Sequence, residues 1–167
     1  PTFKNIIRVA AALGETAWAA HFLTQHKSLL HPRERENTWR YNLAFLHFQQ
    51  AQYEQVLPLL QTVELTDRLN NLDARRMLLR SYYELGEFQA LDSLFDSFTT
   101  YIRRQKDLGY HGENYLNLIR FVKKLLSIRH SDKKQMAALR AEISETEQVA
   151  ERKWLLDKCN VHTQGFP

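Results

Sequence analysis

The sequence predicts an all-α protein, on three observations. Glycine and proline, which most often interrupt helices, contribute only 5 and 4 of the 167 residues. Leucine occurs 25 times against 12 for valine and isoleucine together, a balance that favours helices over strands. Apolar residues recur at spacings of three and four, and sustained strict alternation does not occur. With 44% hydrophobic and 25% charged residues, the chain has neither a disordered nor a membrane-spanning composition.

The helices are predicted between short interruptions. Gly14, Gly86, Gly109, Gly112 and Pro32 follow apolar-periodic stretches, as helix ends and turns do. They give about eight helices, near residues 3–13, 16–30, 34–50, 53–65, 71–85, 88–105, 113–129 and 132–157. Paired in order, these form hairpins at 3–30, 34–65, 71–105 and 113–157 in one domain of residues 1–158, followed by a flexible tail at 159–167. The last helix is unusually long and could break near Ser144, which has capping-box spacing to Glu147.

Internal repetition is the strongest pattern in the chain. Residues 39–63 match residues 74–98 at a shift of 35 without a gap. The matched pairs include Leu43 with Leu78, Phe48 with Tyr83, Ala51 with Gly86, Tyr53 with Phe88, and Val56 with Leu91. The N-terminal stretch fits the same frame less well, with the interval from Gly14 to Ala51 lengthened to 37 residues. Such a period is typical of stacked helical units that bury their apolar faces against their neighbours.

Residues 41–63 and 74–98 resemble the tetratricopeptide repeat (TPR) family. Its helix-turn-helix unit has a small residue at the turn and an aromatic two residues later, which Gly86 with Phe88 and Ala51 with Tyr53 match. Arg40 occupies a position where the family has tryptophan, and no proline closes either unit. The resemblance implies a TPR-like α-hairpin array, a right-handed superhelical solenoid. In that family the first helices of the pairs line a concave face that binds peptides or proteins.

Basic residues and the resemblance together predict a partner-binding face. Residues 99–140 hold ten lysines and arginines against three acids. Some TPR proteins capture a C-terminal carboxylate with Lys and Asn from the first helix, Asn from the third and two basic residues from the fifth. Lys4 and Asn42 match that pattern, whereas Arg8, Asp73 and Met77 depart from it. A basic lining would attract an acidic segment, although the same charges are typical of a solvated helix face. The predicted partner-binding residues are Arg8, Asn42, Arg76, Arg80, Arg120, Lys123 and Lys124.

These observations predict a non-catalytic scaffold or adaptor that binds a protein or peptide partner. The sequence has no GxSxG, GxxxxGK[ST], GxGxxG or HExxH motif, so no catalytic residue, cofactor or metal ion is expected. Two alternatives remain open: nucleic-acid binding by the basic stretch 103–140, and a structural spacer or dimerisation region of a larger protein. A single cysteine, Cys159, requires no oxidising compartment, and the expected location is the cytoplasm.

Overall fold

The computed structural model describes residues 2–105, 108–129 and 131–163. Within these ranges the chain forms nine α-helices, one short 3-10 helix and no strand, which confirms the all-α prediction. None of the helices in these ranges combines the length and the apolar character that a membrane span requires. Whereas the sequence predicts one domain over residues 1–158, the chain divides between Leu94 and Phe95 into two compact units, residues 1–94 and residues 95–167.

The N-terminal unit, residues 1–94, is built from paired helices. They are Thr2–Ala12 (α1), Thr16–Gln25 (α2), Arg35–Gln49 (α3), Tyr53–Leu60 (α4), Arg68–Leu85 (α5) and the start of Phe88–Arg104 (α6), with a 3-10 turn at Lys27–Leu29. Helix α3 packs against α1, α2 and α4, and α5 packs against α3 and α4. Each pair is thereby covered by the first helix of the next pair. The core includes Ile7, Leu23, Phe45, Leu46, Val56 and Met77.

Three turns of the same conformation join the paired helices. Gly14, Ala51 and Gly86 have φ of 81°, 56° and 72°. At each turn this residue donates its N–H to the carbonyl oxygen three residues back, and the next residue donates to the carbonyl five residues back. The second helix of each pair begins two residues after the turn, at Thr16, Tyr53 and Phe88. The sequence frame with intervals of 37 and 35 residues therefore aligns one repeated turn.

The predicted helix over 53–65 is wrong at its end, because α4 stops at Leu60. The hydroxyl of Thr62 donates to the carbonyl oxygen of Pro58, at 3.2 Å, and so caps the last turn. The side-chain amide of Asn37 in α3 then donates to the carbonyl oxygen of Glu64 at 2.9 Å. Asp67 accepts from the N–H of Asn70 at 2.7 Å, and this N-cap starts α5 at Arg68, three residues before the predicted residue 71.

The C-terminal unit, residues 95–167, contains the rest of α6 and three further helices. These are Tyr110–Ser127 (α7), Lys133–Glu145 (α8) and Arg152–Thr163 (α9). Gly112 lies inside α7 rather than at a break, and a Cβ there would lie 3.4 Å from both Ile102 and Leu108. Glycine therefore allows α7 to approach the end of α6. The core of this unit includes Phe98, Phe121, Leu125, Met136, Ile143, Trp154 and Leu155.

The single long helix predicted over 132–157 is two helices, α8 and α9, and α8 ends at Glu145, next to the break anticipated at Ser144. The physical reason is Arg152, whose guanidinium donates to the carbonyl oxygens of Ile143, Ser144, Thr146 and Glu147. One side chain thus satisfies the carbonyls that a continuing helix would have used. The flexible tail predicted at 159–167 is also corrected: α9 continues to Thr163 and Cys159 is fully buried. Residues 164–167 lie outside the described residues.

Candidate functional site

The first helices of the N-terminal unit bring two rows of side chains into register. Helix α3 packs against both α1 and α5. Ten residues before the three left-handed turns stand Lys4, Tyr41 and Arg76, and six residues before them stand Arg8, Phe45 and Arg80. Because a spacing of four residues keeps side chains on one side of a helix, both rows share one face. We call these six residues the first-helix face; its middle helix supplies aromatics and its outer helices supply cations.

The carboxylate of Asp73 lies at the centre of the first-helix face. It accepts hydrogen bonds from Arg8 Nη2 at 2.7 Å, from Tyr41 Oη at 2.5 Å and from Arg76 Nε at 2.9 Å. These donors come from α1, α3 and α5, so one carboxylate joins three helices. Arg8 also donates to Tyr41 Oη at 3.1 Å. Lys4 donates to the side-chain oxygen of Asn70, also on α5.

Burial and charge act in opposite directions on Asp73. Its side chain is 14% exposed and that of Arg76 is 13% exposed. Burial alone would raise the pKa of Asp73, but Arg76, the hydrogen bond from Tyr41, and Arg8 outweigh it and hold the pKa below its ordinary value. Burial, together with the negative charge of Asp73, raises the pKa of Tyr41. The cluster therefore contains an ionised carboxylate and a neutral phenol at neutral pH.

The cations of the first-helix face rest on aromatic rings. The guanidinium of Arg8 lies 4.7 Å from the ring centre of Phe45, and Lys4 Nζ lies 5.4 Å from that of Tyr41. Arg76 and Arg80 lie 4.8 and 5.1 Å from the ring centre of Phe48. Such contacts favour cations that are partly removed from water. Burial, followed by the nearby positive charge of Arg8, lowers the pKa of Lys4.

Asn42 does not belong to the exposed part of this face. It is 2% exposed, and its side-chain amide donates to the carbonyl oxygen of Thr38 at 2.7 Å within α3. The expectation that Asn42 contacts a partner is corrected, because its amide is already used inside the helix. Asn42 therefore has the residue type of the ligand-binding position, but it lacks the exposure that binding requires.

The remaining predicted residues lie on α7 in the C-terminal unit, where acids engage them. Lys124 Nζ lies 2.6 Å from a carboxylate oxygen of Glu142 on α8, and Arg120 Nη1 lies 3.5 Å from the other. Lys123 Nζ lies 4.0 Å from Asp96 and 5.1 Å from the ring centre of Phe95. The structure therefore joins Arg120 and Lys124 at Glu142, whereas Arg8 and Arg76 meet at Asp73.

Sequence reasoning missed Asp73 and Tyr41 as parts of this site. Asp73 is separated from Arg8 by 65 residues and from Tyr41 by 32, so no local pattern links them. The 35-residue shift could have pointed to Tyr41, because it aligns Tyr41 with Arg76, one of the predicted partner-binding residues. Within the described ranges, no three His, Cys, Asp or Glu residues are grouped as a metal site would need.

Comparison of the chain with protein-family models, with curated proteins and with solved structures finds no match in any of the three. Its function is therefore inferred from the geometry of the first-helix face and from the chemistry of the side chains that form it.

Proposed function

We propose that this chain is a non-catalytic scaffold or adaptor that binds a protein or peptide partner through the first-helix face, with an acidic segment as the favoured ligand. In this proposal the helical pairs form a TPR-like solenoid whose first helices line the concave side. Its expected setting is the cytoplasm. The partner is recognised by carboxylate groups and by an extended or helical backbone lying across α1, α3 and α5.

The observation that carries the proposal is the carboxylate of Asp73, which the face already binds. Arginine and tyrosine donors from three helices converge on it at 2.5 to 2.9 Å, and charge-assisted hydrogen bonds of this kind are the strong ones. The four cations Lys4, Arg8, Arg76 and Arg80 outnumber Asp73 and Asp67, the two acids whose charge acts on Lys4. The net positive charge attracts further carboxylates, and attraction over this range weakens as salt is added.

Nucleic-acid binding by residues 103–140 has less support. Glu142 neutralises part of the charge of Arg120 and Lys124, and Asp96 lies near Lys123. A backbone-binding surface needs lysines and arginines directed at phosphates. Titration of the chain with a mixed-sequence oligonucleotide at about 50 and 200 mM salt measures the affinity that the remaining positive charge provides. Binding at the lower salt with a steep loss at the higher salt would favour nucleic acid over an acidic peptide.

The direct test is selection of ligands from a library of random 12-residue peptides on the full chain. We expect the selected peptides to be enriched in Asp and Glu, and their affinity to be measured by fluorescence anisotropy. Arg80→Gln should weaken binding about tenfold, the loss of one charge-assisted hydrogen bond. Arg33→Gln is the matched control, because Arg33 is exposed between the 3-10 turn and α3, outside the face. Equal affinities for the two variants, or selected peptides without acids, would contradict the proposal.

A further inference from the structure

A second surface lies on α1 and the beginning of α2, separate from the first-helix face. It surrounds a hollow of about 650 Å³ lined by Asn5, Ile6, Val9, Leu13 and Trp18, with Glu15 as its charged residue. Val9 is 59% exposed, Leu13 is 74% exposed and Trp18 is 50% exposed. Exposed apolar side chains that adjoin one another in this way mark an interaction surface.

The repeated frame shows what covers the same positions elsewhere in the N-terminal unit. Five residues before the three turns stand Val9, Leu46 and Ser81; Leu46 is 2% exposed and Ser81 is fully buried. Nine residues before the turns stand Asn5, Asn42 and Met77, and again the second and third of these are buried. Asn5 and Val9 are exposed. The first member of each row therefore differs from the other two in burial.

This difference follows the packing of the helices. Helix α3 packs against α1 and α2, and α5 packs against α3 and α4, so the first helices of the second and third pairs are each covered by the pair before them. Within the described residues, no pair precedes α1. Val9 and Asn5 thus occupy frame positions that are buried in the two first helices that have a preceding pair and exposed in α1.

We propose that this surface docks an α-helical hairpin, which packs on α1 as the α1–α2 pair packs on α3. The occupant presents an uncharged face of mixed small and large apolar side chains. In the α1–α2 pair the corresponding chemistry is that of Ile7, Ala19 and Leu23, all buried. Among the described residues, none that lines the hollow is a lysine or arginine and Glu15 is acidic, so the hollow does not favour an acidic peptide.

The test uses the full chain extended by a second copy of residues 1–37 ahead of residue 1. We call the added residues the outer copy and the original residues 1–37 the inner copy. The two Gly14 turns are then 37 residues apart, the same interval that separates Gly14 from Ala51. We expect the midpoint of thermal unfolding to rise by about 5 °C relative to the unextended chain. Val9→Glu in the inner copy should remove the rise, because inner Val9 is then covered. The same substitution in the outer copy is the matched control and should leave the rise intact. No rise, or equal effects of the two substitutions, would overturn the proposal.

A second measurement follows the oligomeric state of the unextended chain by analytical ultracentrifugation. A monomer is expected over the concentrations tested, because the occupant of the surface is a hairpin and not a second copy of the chain. Concentration-dependent dimerisation that Val9→Glu abolishes, without a rise in the unfolding midpoint of the extended chain, would assign the surface to a second copy and overturn the hairpin.

Discussion

Asp73 and Glu142, one in each unit, are both carboxylates bound by basic side chains, but they differ in depth. Asp73 is 14% exposed and accepts from residues of α1, α3 and α5. Glu142 is 36% exposed and pairs with Arg120 and Lys124, both on α7. One carboxylate therefore joins three helices in a buried position, and the other joins two helices at the surface.

The difference teaches that the number of ion pairs is a poor guide to their energetic weight. Water and salt compete for an exposed pair, so its net contribution to the free energy of unfolding is small. Removing one member of a buried cluster is costly because the remaining charges stay out of water without a partner. A carboxylate bound by basic side chains can therefore serve as a structural centre in one unit and as a surface contact in the other.

Asp73→Asn should have the largest effect. It removes the charge that faces Arg8 and Arg76, and we expect the free energy of unfolding to fall by about 3 kcal/mol. For a chain of this length that corresponds to a fall of about 10 °C in the unfolding midpoint. Circular dichroism at neutral pH measures both. Arg8→Gln in the Asp73→Asn background should recover part of the loss; a further decrease would contradict the pairing.

Tyr41→Phe should have an intermediate effect, because it removes one donor to Asp73 and keeps the ring. We expect a loss of about 1.5 kcal/mol at neutral pH, measured by urea unfolding. Burial, together with Asp73, raises the pKa of Tyr41 above its ordinary 10.0, so the protonated phenol stabilises the fold below about pH 10. That contribution is lost as the pH rises further, and the phenylalanine variant should lack this alkaline loss. If the free energy of unfolding falls equally in the two proteins above about pH 10, Tyr41 is not the source of the alkaline loss.

The effect of acid on stability should depend on Asp73. Because the folded-state pKa of Asp73 is below its ordinary 3.8, its stabilising contribution is complete above that pH and is lost as the pH falls through the lowered value. One proton taken up on unfolding limits the slope to about 1.4 kcal/mol per pH unit. Urea midpoints measured between about pH 5 and 2 should fall less steeply in Asp73→Asn than in the original chain. Equal slopes for the two proteins would contradict a lowered pKa at Asp73.

Glu142→Gln should have the smallest effect. We expect a loss of about 0.5 kcal/mol at low salt, measured by urea unfolding, because the pair with Lys124 is partly exposed. Raising the salt concentration should remove most of that difference and leave the effect of Asp73→Asn almost unchanged. A loss in Glu142→Gln as large as that in Asp73→Asn would show that depth does not govern the two sites.

The sequence predicted the parts of the fold that local patterns control. Helix starts at Thr16, Tyr53 and Phe88 agree with the predicted residues 16, 53 and 88, because a left-handed turn two residues earlier determines each of them. The end of α4 at Leu60 was missed because it depends on Asn37, which is distant in sequence and binds the backbone of Glu64. The long final helix was wrong because the side chain of Arg152, five to nine residues along the chain, binds the carbonyl oxygens of Ile143, Ser144, Thr146 and Glu147.

The candidate site was predicted in part. Arg8, Arg76 and Arg80 belong to the first-helix face because the repeat frame places them, and the frame can be read from the sequence. Asp73 was not predicted as its centre, since its donors come from α1 and α3 as well as its own helix. Asn42 was misassigned because residue type does not report exposure. Contacts between helices and burial both require the packed chain.

Ala51 has a φ of 56° at a turn where the corresponding positions carry Gly14 and Gly86. A left-handed backbone costs about 1 kcal/mol for a residue with a Cβ, so the connection between α3 and α4 is not favoured by its own sequence. We therefore expect this hairpin to close late in folding, once its neighbours are present to hold it, whereas the loop at Gly14 can close early. Ala51→Gly should accelerate that closure, and stopped-flow refolding measures the rate.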